Sequence, residues 1–197
     1  STQVAGIMLT MPNTLGLFEP KIVELCKMVH QAGGMVYGDG ANLNAILGRT
    51  QLGKIGFDVI HINVHKTFST PHGGGGPGGG PVVANKLLSP FLPAPVVQEI
   101  TTAGTSPHYQ LIEPTQSIGK IGGYHGNFGV LLRAYAYIRL LGSEGLREVS
   151  ESAVINANYI LARLQETYYL PYNRTCMHEV ILSATKQKER GARAIDI

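Results

Sequence analysis

The feature that most constrains this chain lies at residues 60–83, IHINVHKTFSTPHGGGGPGGGPVV. An apolar run ends close to a single lysine, Lys66, and a glycine tract follows. A short apolar run bounded by turn residues reads as a buried strand. DVIHINV (58–64) is therefore expected to be a strand with Lys66 just past its end. The glycines leave the backbone free to approach a ligand or a neighbouring subunit without side-chain clashes.

The preceding sequence places that strand in a layer. VAGIMLT (4–10) and MVYGD (35–39) suit short buried strands. MPNTLGLFE is a loop broken by Pro12, Asn13 and Gly16. Pro20 opens an amphipathic helix in which Ile22, Val23, Leu25, Cys26 and Val29 fall near helical spacing, and Gly33 and Gly34 stop it. Residues 41–56 read as loop with a short helix, and GPVVA (80–84) as a fourth strand. Strand, helix, strand, loop, strand predicts an α/β fold with a mostly parallel sheet. Ligands in such sheets gather beyond the carboxyl ends of the strands. Asn13, Thr14, Asp39, Asn42, His65 and Lys66 all fall at or just after predicted strand ends.

The second half differs. Residues 111–129 read as irregular and glycine-rich. Residues 129–142 form an apolar helix pattern closed by Gly142, and a second long helix follows with Ser143 as its N-cap. HEVILSAT (178–185) is strand-like. The chain begins on Ser1 and runs almost at once into a strand, while RGARAIDI reads as an interrupted helix. Both ends are expected to lie inside a longer protein.

Composition removes several classes of function. Hydrophobic residues are 44% and charged residues 15% of 197, which supports an ample core. The net charge is +3 with no basic tract, so nucleic acid is not implied. Apolar windows break before membrane-spanning length. Cys26 and Cys176 lie far apart and fit free thiols in a reducing cytoplasm better than a disulfide framework.

An amine at the mouth of a buried site can be desolvated and attack a carbonyl. One outcome is a Schiff base with pyridoxal 5'-phosphate. That cofactor withdraws electrons while its ring nitrogen stays protonated, which a carboxylate secures. Asp39, at the end of the preceding strand, is the candidate, and Ala41 leaves room for a flat ring. The plain alternatives are a solvated rim lysine and a turn-forming aspartate. A nominal G-x-G-x-x-G at Gly73, Gly75 and Gly78 contains Pro77, and poly-glycine matches it trivially. His61 and His65 would share a strand face with His72 nearby, yet no cysteine or carboxylate completes zinc spacing, and no metal is assigned. His65 is expected to line the ligand site, and His61 to sit in the core or support a site residue.

Together MPNTLGLFE, VYGDGANLNA, HINVHKTFSTPHGGGGPGGGPV, SPFLPAP and GNFGVLLRAYAYIRLLG resemble the glycine decarboxylase P-protein of the glycine cleavage system. The likeness is strongest to subunit 2 of its two-chain bacterial form and runs over nearly the whole chain. The resemblance implies the fold-type I architecture of pyridoxal-phosphate enzymes. Residues 1–125 would be the C-terminal part of the cofactor-binding large domain. Residues 126–197 would be connecting helices and the start of a smaller domain. It also implies decarboxylation of glycine, with transfer of the aminomethyl group to the lipoyl arm of H-protein, in an oligomer with P-protein subunit 1. Carried over by motif, Lys66 would hold the cofactor and Asp39 would pair with the ring nitrogen. Ala41 would lie against the ring and His65 would line the pocket. Asn13 and Thr14 would contact cofactor or substrate. The rivals are another fold-type I enzyme acting on amino acids, such as a cysteine desulfurase or an aldolase, and a non-catalytic assembly subunit.

Overall fold

A computed structural model of the chain describes residues 3–72, 74, 78–101, 104, 106–123 and 125–197. Gly73, Gly75 and Pro77 of the nominal glycine motif lie outside the described residues. Four strands form the first sheet in the order β1 (Gly6–Thr10), β2 (Met35–Gly40), β3 (Val59–Ile62), β4 (Val82–Ala84). β1, β2 and β3 run parallel, whereas β4 lies antiparallel against β3. The fold is thus α/β with a mostly parallel sheet, and the fourth strand departs from the parallel expectation.

Helix α1 (Ile22–Gln31) links β1 to β2. Ile22 and Cys26, one turn apart, are buried, and Leu25 and Val29 pack beside them. The helix stops because Gly33 takes φ +80. Gly34 N–H then reaches Val29 O and Gly33 N–H reaches His30 O, both at 2.9 Å, which closes the last turn.

The apolar face of the sheet carries Ile7, Leu9, Val36, Ile60 and Ile62, which pack with Ile22, Cys26 and Phe57. Alternation sends Thr10, Tyr37, Asp39 and His61 to the other face. Asp58 locks this layer. Its Oδ2 accepts from Val36 N at 2.7 Å and faces His30 Nε2 at 2.8 Å, and its Oδ1 accepts from Asn85 Nδ2 at 2.8 Å.

Two short pieces follow β2: a 3-10 turn (Leu43–Ala45) and α2 (Leu52–Ile55). Beyond β3, the chain turns at Asn63 into a single helical turn, α3 (Val64–Thr67). Lys66 therefore sits on a helical turn rather than directly at the strand end. Val64 and Phe68 face inward against Val130 and Ala134.

A hairpin of β5 (Val96–Ile100) and β6 (His108–Ile112) makes a separate antiparallel sheet, and Leu111 and Ile112 belong to it although the sequence reads there as irregular. The long helical stretch α4 (Phe128–Leu164) breaks at Gly142, with φ 64 and ψ −171. It is two helices, divided where the sequence predicts. Asn127 caps the first, accepting from Val130 N at 3.2 Å. The strand expected over 178–185 does not form. Ser183 makes one isolated antiparallel bridge to Tyr169, and a helical turn, α5 (Thr185–Lys188), follows. A strand needs a neighbour along its length, and here only one residue finds one. No helix among the described residues is long and apolar enough to cross a membrane.

Candidate functional site

The site grows from the register of three strands. Thr10, Asp39 and His61 are aligned across β1, β2 and β3 and stand on one face. Thr10 Oγ1 donates to Asp39 Oδ2 at 3.0 Å. Ala41 N–H donates to Asp39 Oδ1 at 2.9 Å. His61 Nε2 lies 3.3 Å from the same Oδ1. Close strand approach depends on Gly40, because a side chain there would run into the His61 carbonyl oxygen.

A carboxylate offers about four lone-pair positions. Oδ1 accepts from Ala41 and lies within ion-pair distance of His61, and Oδ2 accepts from Thr10 alone, so one position on Oδ2 is left for an incoming donor. The Asp39 side chain is 21% exposed, which keeps it within reach of a ligand.

Lys66 belongs to the next element. Val64 and Thr67 on α3, and Phe68 just after it, are buried, which leaves His65 and Lys66 on its outer side. Lys66 is exposed and has no hydrogen bond or ion pair among the described residues, so its amine is not desolvated as a buried-site mouth requires. It makes no direct contact with Asp39. His65 lies on α3 rather than on the strand that carries His61, and its ring meets His72 edge-on, with centroids 4.6 Å apart. Partial burial pushes His65 below the ordinary histidine range, and the neighbouring His72 and Lys66 add to that. Among the described residues no group of three or more His, Cys, Asp or Glu could hold a metal ion.

The remaining expected residues lie on the chain that follows β1 and β2. Ala41 is only 7% exposed, so its methyl offers little surface to a ring, and it acts through its N–H on Asp39. Asn13 Oδ1 accepts from Leu15 N and Leu17 N, at 3.0 and 3.1 Å, which folds the loop after β1. Thr14 is exposed. Asn42 is buried and donates to Pro12 O at 3.0 Å, tying that loop to the end of β2.

Thr10 and Tyr37 were not foreseen. Tyr37 O–H pairs with His61 Nδ1 at 2.8 Å. Burial, and then the Asp39 charge, raise the Tyr37 phenol above its ordinary range. Thr10 was legible in principle as the last residue of its strand, but only once the register with Asp39 is known.

No family model matches the chain. Curated proteins do. A protein named probable glycine dehydrogenase (decarboxylating) subunit 2 from Chlorobium phaeovibrioides is 54% identical over 195 residues, covering 98% of this chain and 40% of its own length. The protein of that name from Staphylococcus haemolyticus is 54% identical, with 98% of this chain and 38% of its own length covered. Among solved structures, an inhibitor-bound glycine decarboxylase (P-protein) of the glycine cleavage system aligns with TM-score 0.70 at 23% identity, covering 84% of this chain and 38% of that one. A cysteine desulfurase from Thermococcus onnurineus aligns with TM-score 0.58 at 17% identity, covering 93% of this chain and 45% of that one. These structures share the fold-type I architecture. The chain spans about two fifths of the length of the curated relatives it matches. Over that span it is similar from end to end to proteins named glycine dehydrogenase (decarboxylating) subunit 2, and it folds as the corresponding part of a glycine decarboxylase P-protein does.

Proposed function

We propose that this chain is part of a glycine dehydrogenase (decarboxylating) that holds pyridoxal 5'-phosphate between Lys66 and Asp39. The observation that carries the reading is the Asp39 carboxylate, fixed by Thr10, Ala41 and His61 with one acceptor position open. Its donor set suits a protonated ring nitrogen, and an amine without a partner lies on the turn beyond the neighbouring strand. When bound, the cofactor supplies an electron sink for loss of CO2 from glycine. Asp39 holds a proton at the ring nitrogen. Lys66 supplies the anchoring amine. His65, held low by its surroundings, is uncharged near neutral pH and adds no competing cation beside Lys66. Asn13 and Thr14 lie on the loop after β1, at the same edge of the sheet, where they would border substrate.

The reading extends to the whole protein. Glycine is the substrate, the lipoyl arm of H-protein takes the aminomethyl group, and a first P-protein subunit completes an oligomeric enzyme. The boundary near residue 125 separates the cofactor-binding part from the start of a smaller domain. The free, buried thiols of Cys26 and Cys176 suit a cytoplasmic protein. The relatives' name supports glycine as substrate and a partner subunit, and nothing specific favours desulfurase chemistry, since neither thiol is exposed.

The test is exchange of labelled bicarbonate into glycine by the full-length protein with its partner subunit, H-protein and pyridoxal phosphate. Exchange that is lost in Lys66→Ala supports the reading. Absence of exchange in the wild type refutes it.

A further inference from the structure

His61 has neighbours at both ring nitrogens, and of these the proposed chemistry uses only Asp39. Its Nδ1 is 2.8 Å from Tyr37 Oη, and its Nε2 is 3.3 Å from Asp39 Oδ1. Asn63 Nδ2 lies 3.2 Å from that same Nε2. One ring nitrogen cannot accept from an amide and donate to a carboxylate at once. An ionised Asp39 only accepts, so it selects the ring form with a proton on Nε2. Nδ1 is then bare and takes the Tyr37 hydroxyl proton as a hydrogen bond. Asn63 meets the Nε2–H best with its amide oxygen turned inward. Burial and the Asp39 charge keep the Tyr37 phenol protonated, so it can donate.

We propose that His61 is a positioning residue for Asp39, with its tautomer fixed by Tyr37, so that the chain Tyr37–His61–Asp39 keeps the carboxylate aimed at the cofactor's ring nitrogen. This rests on the reading of Asp39 given above. Without the Nε2–H donor, Oδ1 keeps only the Ala41 N–H. The carboxylate can then rotate, and its open position on Oδ2 no longer points one way. In this role Tyr37 and His61 act through Asp39 rather than on the substrate.

The test separates this role from plain structural support. Equilibrium dialysis of the full-length protein measures dissociation constants for pyridoxal phosphate and for its 1-deaza analogue, in which C–H replaces the ring nitrogen. A charge-assisted hydrogen bond to that nitrogen makes the wild type prefer pyridoxal phosphate by about tenfold or more. Asp39→Asn brings the ratio near one. If Asp39→Asn keeps the wild-type ratio, the reading of Asp39 itself is wrong. With that control met, His61→Leu is expected to remove most of the preference and leave analogue binding within about twofold. His61→Gln, which offers an N–H near the Nε2 position, restores much of it. Tyr37→Phe deletes one oxygen and carries the test even where His61→Leu does not fold; it is expected to cut the ratio by about threefold, as loss of a neutral hydrogen bond does. Unchanged ratios in both His61→Leu and Tyr37→Phe overturn the proposal. Equal weakening of both ligands also overturns it, because that is what a merely structural role produces.

Discussion

Replacing Asp58 by asparagine changes one atom and is expected to loosen the whole sheet. Asp58 is 9% exposed, and its two oxygens accept from three donors on three separate segments: Val36 N, His30 Nε2 and Asn85 Nδ2. An asparagine there has one oxygen. If it faces Val36 and His30, its NH2 points at the Asn85 NH2. If it faces Asn85, the NH2 points at the Val36 N–H, on a residue with no exposed surface. Either orientation buries an unsatisfied donor, at about 1–3 kcal/mol, and exchanges charged for neutral hydrogen bonds. The sum is about 3 kcal/mol. At roughly 2–4 °C per kcal/mol for a cooperative unit of 150–250 residues, the melting transition falls by on the order of 10 °C. The double variant Asp58→Asn with Asn85→Asp supplies the missing acceptor. The amide introduced at position 58 can then turn its oxygen to Val36 and its NH2 to the carboxylate introduced at position 85, and at least half of the loss should return. Calorimetry of the full-length protein and both variants decides it. A single variant within about 1 °C of wild type, or a double variant that melts below the single one, refutes the reasoning.

Other expectations follow from local geometry. Gly33→Ala places a side chain at φ +80 with nothing within 4 Å of the new methyl, so only the backbone conformation resists, and urea unfolding should show a loss of about 1 kcal/mol. Burial raises both the Cys26 and Cys176 thiols above the ordinary range, so an iodoacetamide time course in mildly alkaline buffer should label neither until the protein is denatured; rapid native labelling of either contradicts this. His65 is held low, so its contribution to stability is present above the unfolded histidine pKa and fades as pH falls through the lower folded value. In the cofactor-free protein, NMR titration of His65 should give a midpoint below a free histidine, and His72→Asn should move it up; no upward shift means His72 does not act on it.

Much of this fold could be read from residues alone, for definable reasons. α1 and the two parts of α4 announce themselves by spacing and by Gly33 and Gly142, because a positive φ is a local property. β1, β2 and β3 are apolar runs between turns. The direction of β4 was not legible, since so short a strand carries no signal for parallel or antiparallel pairing. The β5–β6 hairpin was missed because VVQEI and HYQLI are mostly exposed on both faces, which erases the alternation. HEVILSAT failed for the opposite reason: its composition suits a strand, but pairing is a long-range property and only Ser183 finds a partner. In the site, strand-end reasoning pointed to Asp39 and Lys66, and the structure puts Asp39 near the end of β2 and Lys66 on the turn after β3. Thr10 and Tyr37 depend on the register of β1 and β2 with Asp39, which no single segment encodes. The use of Asn13 Oδ1 to fold its own loop was not legible either, because it depends on where the backbone amides of Leu15 and Leu17 turn.

Borohydride trapping tests the central claim most directly. The full-length protein is loaded with pyridoxal phosphate, reduced, digested and mapped by mass spectrometry. The pyridoxyl group is expected on Lys66, with loading weakened in Asp39→Asn. Label on another lysine, or undiminished loading and trapping in Lys66→Ala, contradicts the account.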